Sequence, residues 1–215
     1  MDGMTIPRSK IILAALLLGL ALAPSAPGIG QDPDARIKAF LDERQGHWRD
    51  LNIPAADGQI LYDLIVARGY KRALEIGTST GHSGTWIAWA LSKTGGRLTT
   101  IEIDPQRREQ AVRNFQAAGL AGRIESLLGD AHELAPRQEG PFDFVFSDAD
   151  KDWYIEYFKA LAPKLASGGC FAAHNVSERG RGWSREYLEF VRAWPGFTTT
   201  VDPRGSASLA LSFKQ

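Results

Sequence analysis

Four residues with chemical reach follow two apolar runs late in the chain. Asp148 and Lys151 come after Phe142–Phe146, and His174 and Asn175 come after Gly169–Ala173. A carboxylate oxygen and an amide carbonyl are hard donors that suit magnesium or a similar cation. A lysine beside them can serve as a base if its pKa is depressed. An imidazole is a poor magnesium ligand and suits zinc, iron or nickel better. His174 therefore has three readings: ligand of a softer ion, base at a site without metal, or hydrogen-bonded strand-end histidine.

A second group lies earlier. The run Glu75-Ile76-Gly77-Thr78-Ser79-Thr80-Gly81-His82-Ser83 ends an apolar strand and enters a helix. Its glycines allow a sharp turn and close approach of a ligand to the backbone. The N–H groups that open the following helix can hold a carboxylate. Gly77 and Gly81 are four apart and no G-x-G occurs, so this is not the dinucleotide fingerprint. Glu102 ends the next apolar run, 25 residues after Gly77. An acid there can accept both hydroxyls of a ribose; the plain alternative is a solvated strand-end acid. Asp130 and Ala131 follow a third run, where a short turn can meet an adenine edge and Asp130 can cap a helix.

These positions demand a scaffold that brings strand ends together. Apolar residues at helical spacing mark a first helix over 34–50, through Ile37, Phe40, Leu41 and Trp48. Pro54 opens a second helix, with Ile60, Leu61, Leu64 and Ile65 on one face. Strands then alternate with helices: strands at 73–76, 98–103, 124–128, 142–146 and 169–173, and helices at 81–91, 105–118, 154–165 and 185–193. Residues 197–201 and 208–213 form a final hairpin-like pair. Apolar strands alternating with helices predict an α/β doubly wound, mostly parallel sheet covered on both faces, with an antiparallel edge. Sites in such sheets lie beyond the carboxyl ends of the strands, where the strand order switches.

The phrases LEIGTSTGHS, TTIEIDP, GDAHEL, FDFVFSDADKDWY and AAHNV, in this order and spacing, resemble the S-adenosylmethionine-dependent O-methyltransferases of the catechol and caffeoyl-coenzyme A type. The likeness runs from about Ile53 to the C-terminus. It implies the seven-stranded, Rossmann-like sheet of class I methyltransferases. It also implies that Glu75, Gly77, Ser79, Gly81 and Ser83 surround the methionine part of S-adenosylmethionine, that Glu102 holds its ribose, and that Asp130 and Ala131 flank its adenine. Asp148 and Asn175 are then metal ligands and Lys151 the general base. The family usually has aspartate before that asparagine; here it is His174, so a ligand set of Asp148, His174 and Asn175 would favour a softer ion than magnesium. The acceptor implied is a small hydroxylated molecule, and a homodimer is a common state for the family. Trp153, Tyr154 and Tyr157 are candidate acceptor-pocket or core residues. Arg179 and Arg181, in the loop 177–183, could grip an acidic acceptor.

The N-terminus differs in kind. Arg8 and Lys10 precede an apolar run from Ile11 to Ala23, followed by Pro24, Pro27, Gly28 and Gly30. Such a pattern describes a secretory signal or anchor over 1–30, ahead of a catalytic domain over 31–215. The run is shorter than the roughly 20 residues of a membrane span. It points to an exported or membrane-tethered protein, with a cytoplasmic one as the alternative. The 215-residue chain has zero formal net charge, so no basic surplus argues for nucleic acid. Its single cysteine, Cys170, excludes an intrachain disulfide and a cysteine metal cluster. Two competing functions are a metal-free methyltransferase acting on another atom and an exported S-adenosylmethionine-binding protein without catalysis. Retention of Asp148, Lys151 and Asn175 argues against the latter.

Overall fold

A computed structural model of the chain describes residues 32–215. The apolar segment expected to direct export lies outside them. No helix of the described residues is long and apolar enough to cross a membrane.

Helix α1 spans Pro33–Glu43, with Asp32 capping the Asp34 N–H at 3.2 Å. It stops well short of the expected Asp50. The chain instead turns through three residues of positive φ, Gly46, Asp50 and Leu51. Helix α2, Ala55–Arg68, starts after Pro54 and ends on the left-handed Gly69. Six further elements alternate: β1 (Arg72–Ile76), α3 (His82–Thr94), β2 (Arg97–Glu102), α4 (Pro105–Ala118), β3 (Ile124–Leu128) and α5 (Ala131–Arg137). Helix α5 was not legible in the sequence, being only seven residues long and carrying Pro136. Then come β4 (Phe142–Ser147), α6 (Tyr154–Leu161), β5 (Leu165–His174), α7 (Trp183–Ala193), β6 (Phe197–Asp202) and β7 (Leu209–Lys214). Helix α6 ends before its expected limit because Pro163 starts a short 3₁₀ turn.

The seven strands form one sheet in the order β3-β2-β1-β4-β5-β7-β6. Strand β7 runs antiparallel to both neighbours, so the expected antiparallel edge is the β7–β6 hairpin, with β7 one place inside the rim. All other pairings are parallel. Alternate residues of each central strand feed two cores. Leu74, Ile76, Val145 and Phe171 pack on one face with α6 and α7 residues such as Phe158 and Tyr187. Ala73, Phe144, Phe146 and Cys170 pack on the other with Leu61 and Ile65 of α2 and Ile87 and Leu91 of α3. The lone cysteine is thus a core residue, its thiol pushed up by burial. The strand order reverses between the neighbours β1 and β4, and their carboxyl ends meet where Ile76 lies opposite Ser147.

Candidate active site

At the β1–β4 switch the two strand ends are tied together. The Asp148 N–H donates to the Ile76 carbonyl at 2.9 Å, and the Gly77 N–H donates to the Ile101 carbonyl of β2 at 3.0 Å. Gly77 has φ +93°, and a Cβ there would stand 2.5 Å from the Asp148 carbonyl oxygen. The turn can pass so close to β4 only because the residue is glycine. Beyond it opens a cleft of about 300 Å³. Of the expected cofactor residues, Gly77, Ser79, Glu102, Asp130 and Ala131 line it, together with Asp148.

Glu102 is buried and already engaged from two sides. One carboxylate oxygen accepts from the Ser79 N–H at 2.7 Å and the other from the Asp104 N–H at 3.0 Å. These bonds fix the carboxylate at the cleft wall and leave a lone pair on each oxygen, the arrangement that a vicinal diol needs. Above it lies the loop between α1 and α2. Arg107 of α4 grips Asp50 with two bonds of 2.7 and 2.9 Å. Leu51, 76% exposed, overhangs the cleft. Asn52 donates to the Thr80 hydroxyl at 2.7 Å and accepts from the His82 N–H at 3.2 Å. The first N–H of α3, expected to be open to a ligand, is therefore taken by Asn52.

Glu75, Gly81 and Ser83 stand behind the wall rather than in the cleft. Gly81 is packed against Phe115, which a Cβ would meet at 2.8 Å. Glu75 is wholly buried and accepts from the Thr100 hydroxyl of the neighbouring strand at 2.6 Å. Its other oxygen has no partner. Burial pushes its carboxyl from 4.5 up to about 8, against the pull of the Ser83 and Thr100 hydroxyls. The folded protein therefore holds this proton more tightly than the unfolded chain. The stability so gained is complete below 4.5 and is lost as pH rises through about 8. Glu75→Gln, which cannot ionise, should gain stability relative to the parent across that window. Urea unfolding near its two ends checks this, and a constant difference between the proteins would contradict it.

Farther along the cleft, Asp130 caps α5 through the His132 N–H at 2.8 Å. The His132 ring lies on Trp153, with centroids 3.7 Å apart and planes 12° from parallel, and its Nε2 is 3.3 Å from Asp150. Tyr157 completes this wall. Of the three candidate acceptor aromatics, then, Tyr157 lines the cleft beside Asp130 and Trp153 stacks on His132. Tyr154 is fully buried as a support.

The remaining expected residues gather around Asp148. Lys151 donates to one of its oxygens and, at 2.7 Å, to the Tyr154 hydroxyl. That hydroxyl is within hydrogen-bond reach of the carbonyls of Ser147 (2.9 Å) and His174 (3.2 Å), so β4, β5 and the turn carrying Lys151 share one anchor. The other Asp148 oxygen lies 3.2 Å from His174 Nδ1, a charge contact without the alignment of a full hydrogen bond. His174 Nε2 sits 2.8 Å from Asp57 of α2. Burial alone would lower the imidazole pKa; the carboxylates of Asp148 and Asp57 outweigh it and raise it. Asp57 is itself wholly buried, and its second oxygen accepts from the Ser206 N–H at 2.6 Å. Asn175 follows with φ +62° and an exposed side chain.

The expected ligand set of Asp148, His174 and Asn175 is partly committed to other protein groups. Nε2 of His174 is held by Asp57 and one oxygen of Asp148 by Lys151, whereas Nδ1 of His174 has no hydrogen-bond partner and lies 3.2 Å from the other Asp148 oxygen. Among the described residues, no three His, Cys, Asp or Glu side chains are grouped to hold an ion. A nucleoside with a vicinal diol does fit, given the poised Glu102 and the glycine cradle at Gly77. Arg179 and Arg181 are exposed. Sequence reasoning missed Asp57, Arg107 and His132. A signal existed for Asp57, which shares the helical spacing of Ile60, Leu61 and Leu64 and so places a carboxylate on a buried face.

Comparison with known proteins agrees with this geometry. A family model described as O-methyltransferase matches residues 37–186. The chain is 33% identical over 157 residues to a catechol O-methyltransferase of Niastella koreensis, covering 71% of each chain. To one of Mycobacterium tuberculosis it is 34% identical over 153 residues, covering 71% of this chain and 69% of the other. Its fold resembles that of the O-methyltransferase TomG from Streptomyces achromogenes in complex with S-adenosylmethionine, with a TM-score of 0.68, 29% identity, and coverage of 87% of this chain and 92% of that one. The strand order, the cleft at the switch point and these likenesses together make this chain a member of the O-methyltransferase family.

Proposed function

We propose that this enzyme transfers the methyl group of S-adenosylmethionine to a hydroxyl of a small, catechol-like acceptor. The observation that carries the reading is that Glu102, poised for a diol, and Asp148, which holds Lys151 on one oxygen, line one strand-end cleft. When bound, S-adenosylmethionine supplies an electrophilic methyl group on a sulfonium. Glu102 holds the ribose hydroxyls, Gly77 lets the backbone come close, and Asp130 with Ala131 borders the base. Tyr154 and Asp148 aim Lys151 at the acceptor end. There the Lys151 amino group is placed to take the hydroxyl proton, with Asp148 beside it to stabilise the charge that results. Holding the reactants in line supplies much of the acceleration. Both named relatives are described as catechol O-methyltransferases, which supports this acceptor class.

Removing the Glu102 carboxylate tests the cofactor half. A hydrogen bond to a charged group contributes about 1.5–3 kcal/mol, so Glu102→Ala should weaken S-adenosylhomocysteine binding at least about tenfold. Calorimetry on folded variant and parent measures it. Unchanged affinity would remove Glu102 from the ribose role.

A further inference from the structure

We propose that Asp50 and Arg107 form a latch that holds residues 50–52, Leu51 above all, over the cofactor cleft, and so set how slowly S-adenosylmethionine and its demethylated product leave. The inference rests on the cofactor half of the reading above and deepens it.

Five non-glycine residues have positive φ among the described residues. Three of them, Asp50 (68°), Leu51 (62°) and Ser79 (48°), meet at this edge of the cleft. Left-handed backbone disfavours an L side chain and persists only where its surroundings hold it. Asp50 is held from two sides. Its carboxylate accepts from Arg107 Nε at 2.9 Å and from an Arg107 Nη at 2.7 Å, a two-pronged contact that fixes direction as well as distance. Its carbonyl accepts from the Ser79 hydroxyl. Asn52 adds its bonds to the Thr80 hydroxyl and the His82 N–H. The strap is thus pinned to α4 through Arg107 and to the turn between β1 and α3 through Ser79 and Asn52.

This arrangement holds in place a leucine that the core does not use. Leu51 is 76% exposed and belongs to none of the apolar clusters, yet it lines the cleft. Its side chain gains burial by packing on a molecule seated there. Ser79 couples the strap to the ribose site, because its N–H donates to Glu102 at 2.7 Å while its hydroxyl holds Asp50. Asp50 does not itself line the cleft. Any effect of its carboxylate on a bound nucleoside therefore passes through the strap, which makes Asp50 and Arg107 positioning residues.

Surface plasmon resonance on the immobilised full chain follows release of S-adenosylhomocysteine and needs no acceptor. Asparagine, like aspartate, accepts left-handed backbone, so Asp50→Asn removes the charge and keeps the turn. Asp50→Asn and Arg107→Ala should each speed release about 3–10-fold. The double variant should be no faster than the faster single one, since the same contact is lost in all three. Leu51→Ala keeps the latch and removes what it holds, so release should quicken over the same range. Melting temperatures of the single variants should stay within about 4 °C of the parent. Release within about twofold of the parent in Asp50→Asn or Leu51→Ala would overturn the inference. So would factors that multiply in the double variant, which would mean that Arg107 acts on the ligand by itself. If Arg107→Ala does not fold, Asp50→Asn and Leu51→Ala decide. A wild type that binds no S-adenosylhomocysteine would overturn the inference together with the proposed function; binding with unchanged release in the variants would overturn the inference alone.

Discussion

Lys151→Ala is expected to cut turnover of a true acceptor by about 10²–10⁴-fold, the range for a removed general acid–base group. Its reach explains why. Lys151 sits on the 3₁₀ turn directly after β4, bonded to Asp148 and to Tyr154. No other lysine or arginine contacts Asp148 among the described residues. The change should leave S-adenosylhomocysteine affinity within about twofold, because Lys151 does not line the cleft that holds Glu102 and Asp130. A fall confined to kcat, with affinity kept, separates loss of the base from loss of the fold. Turnover within about twofold of the parent would place the base elsewhere.

The second large effect concerns the turn itself. In Gly77→Ala the new Cβ would lie 2.5 Å from the Asp148 carbonyl oxygen and 2.8 Å from its carbon, backbone atoms that cannot swing aside. The residue would also keep φ near +93°. Left-handed backbone disfavours an L side chain by about 1–2 kcal/mol, and overpacking adds about 1–3 kcal/mol. Stability should therefore fall by about 2–5 kcal/mol. Because the displaced atoms belong to the strand end carrying Asp148, cofactor affinity and turnover should fall as well. Denaturant unfolding measures the first effect and calorimetry the second. A variant as stable as its parent would mean that the β1–β4 approach is looser than described.

The strands and the glycine turn were legible because their signals are local. A buried parallel strand is a short apolar run, and the residue ending it is the next one along, so Gly77, Glu102, Asp130 and Asp148 could be placed from sequence alone. Long-range pairings were not legible. Asp57 and His174 are 117 positions apart, and only the packing of α2 against the sheet makes them partners. That contact fixes one ring nitrogen of His174 inside the fold. The loop between α1 and α2 was read as helix because Trp48 continued the apolar spacing. The helix ends at Glu43, ahead of left-handed Gly46; Asp50 and Leu51 turn the chain again, and Arg107 holds Asp50 from outside the loop. Tyr154 and Tyr157 illustrate a third limit. They are neighbours at helical spacing, yet one supports Lys151 and the other lines the cleft that holds Glu102. Periodicity alone cannot assign a side chain to one of two adjoining sites.

The most direct test of the account is methyl transfer itself. Purified protein is incubated with S-adenosylmethionine bearing a labelled methyl group and with catechol, and the products are resolved by mass spectrometry. The account predicts a labelled mono-O-methyl ether, formed in step with S-adenosylhomocysteine and abolished to background in Lys151→Ala. Binding of S-adenosylhomocysteine with no labelled ether from catechol or any related hydroxylated acceptor would contradict it.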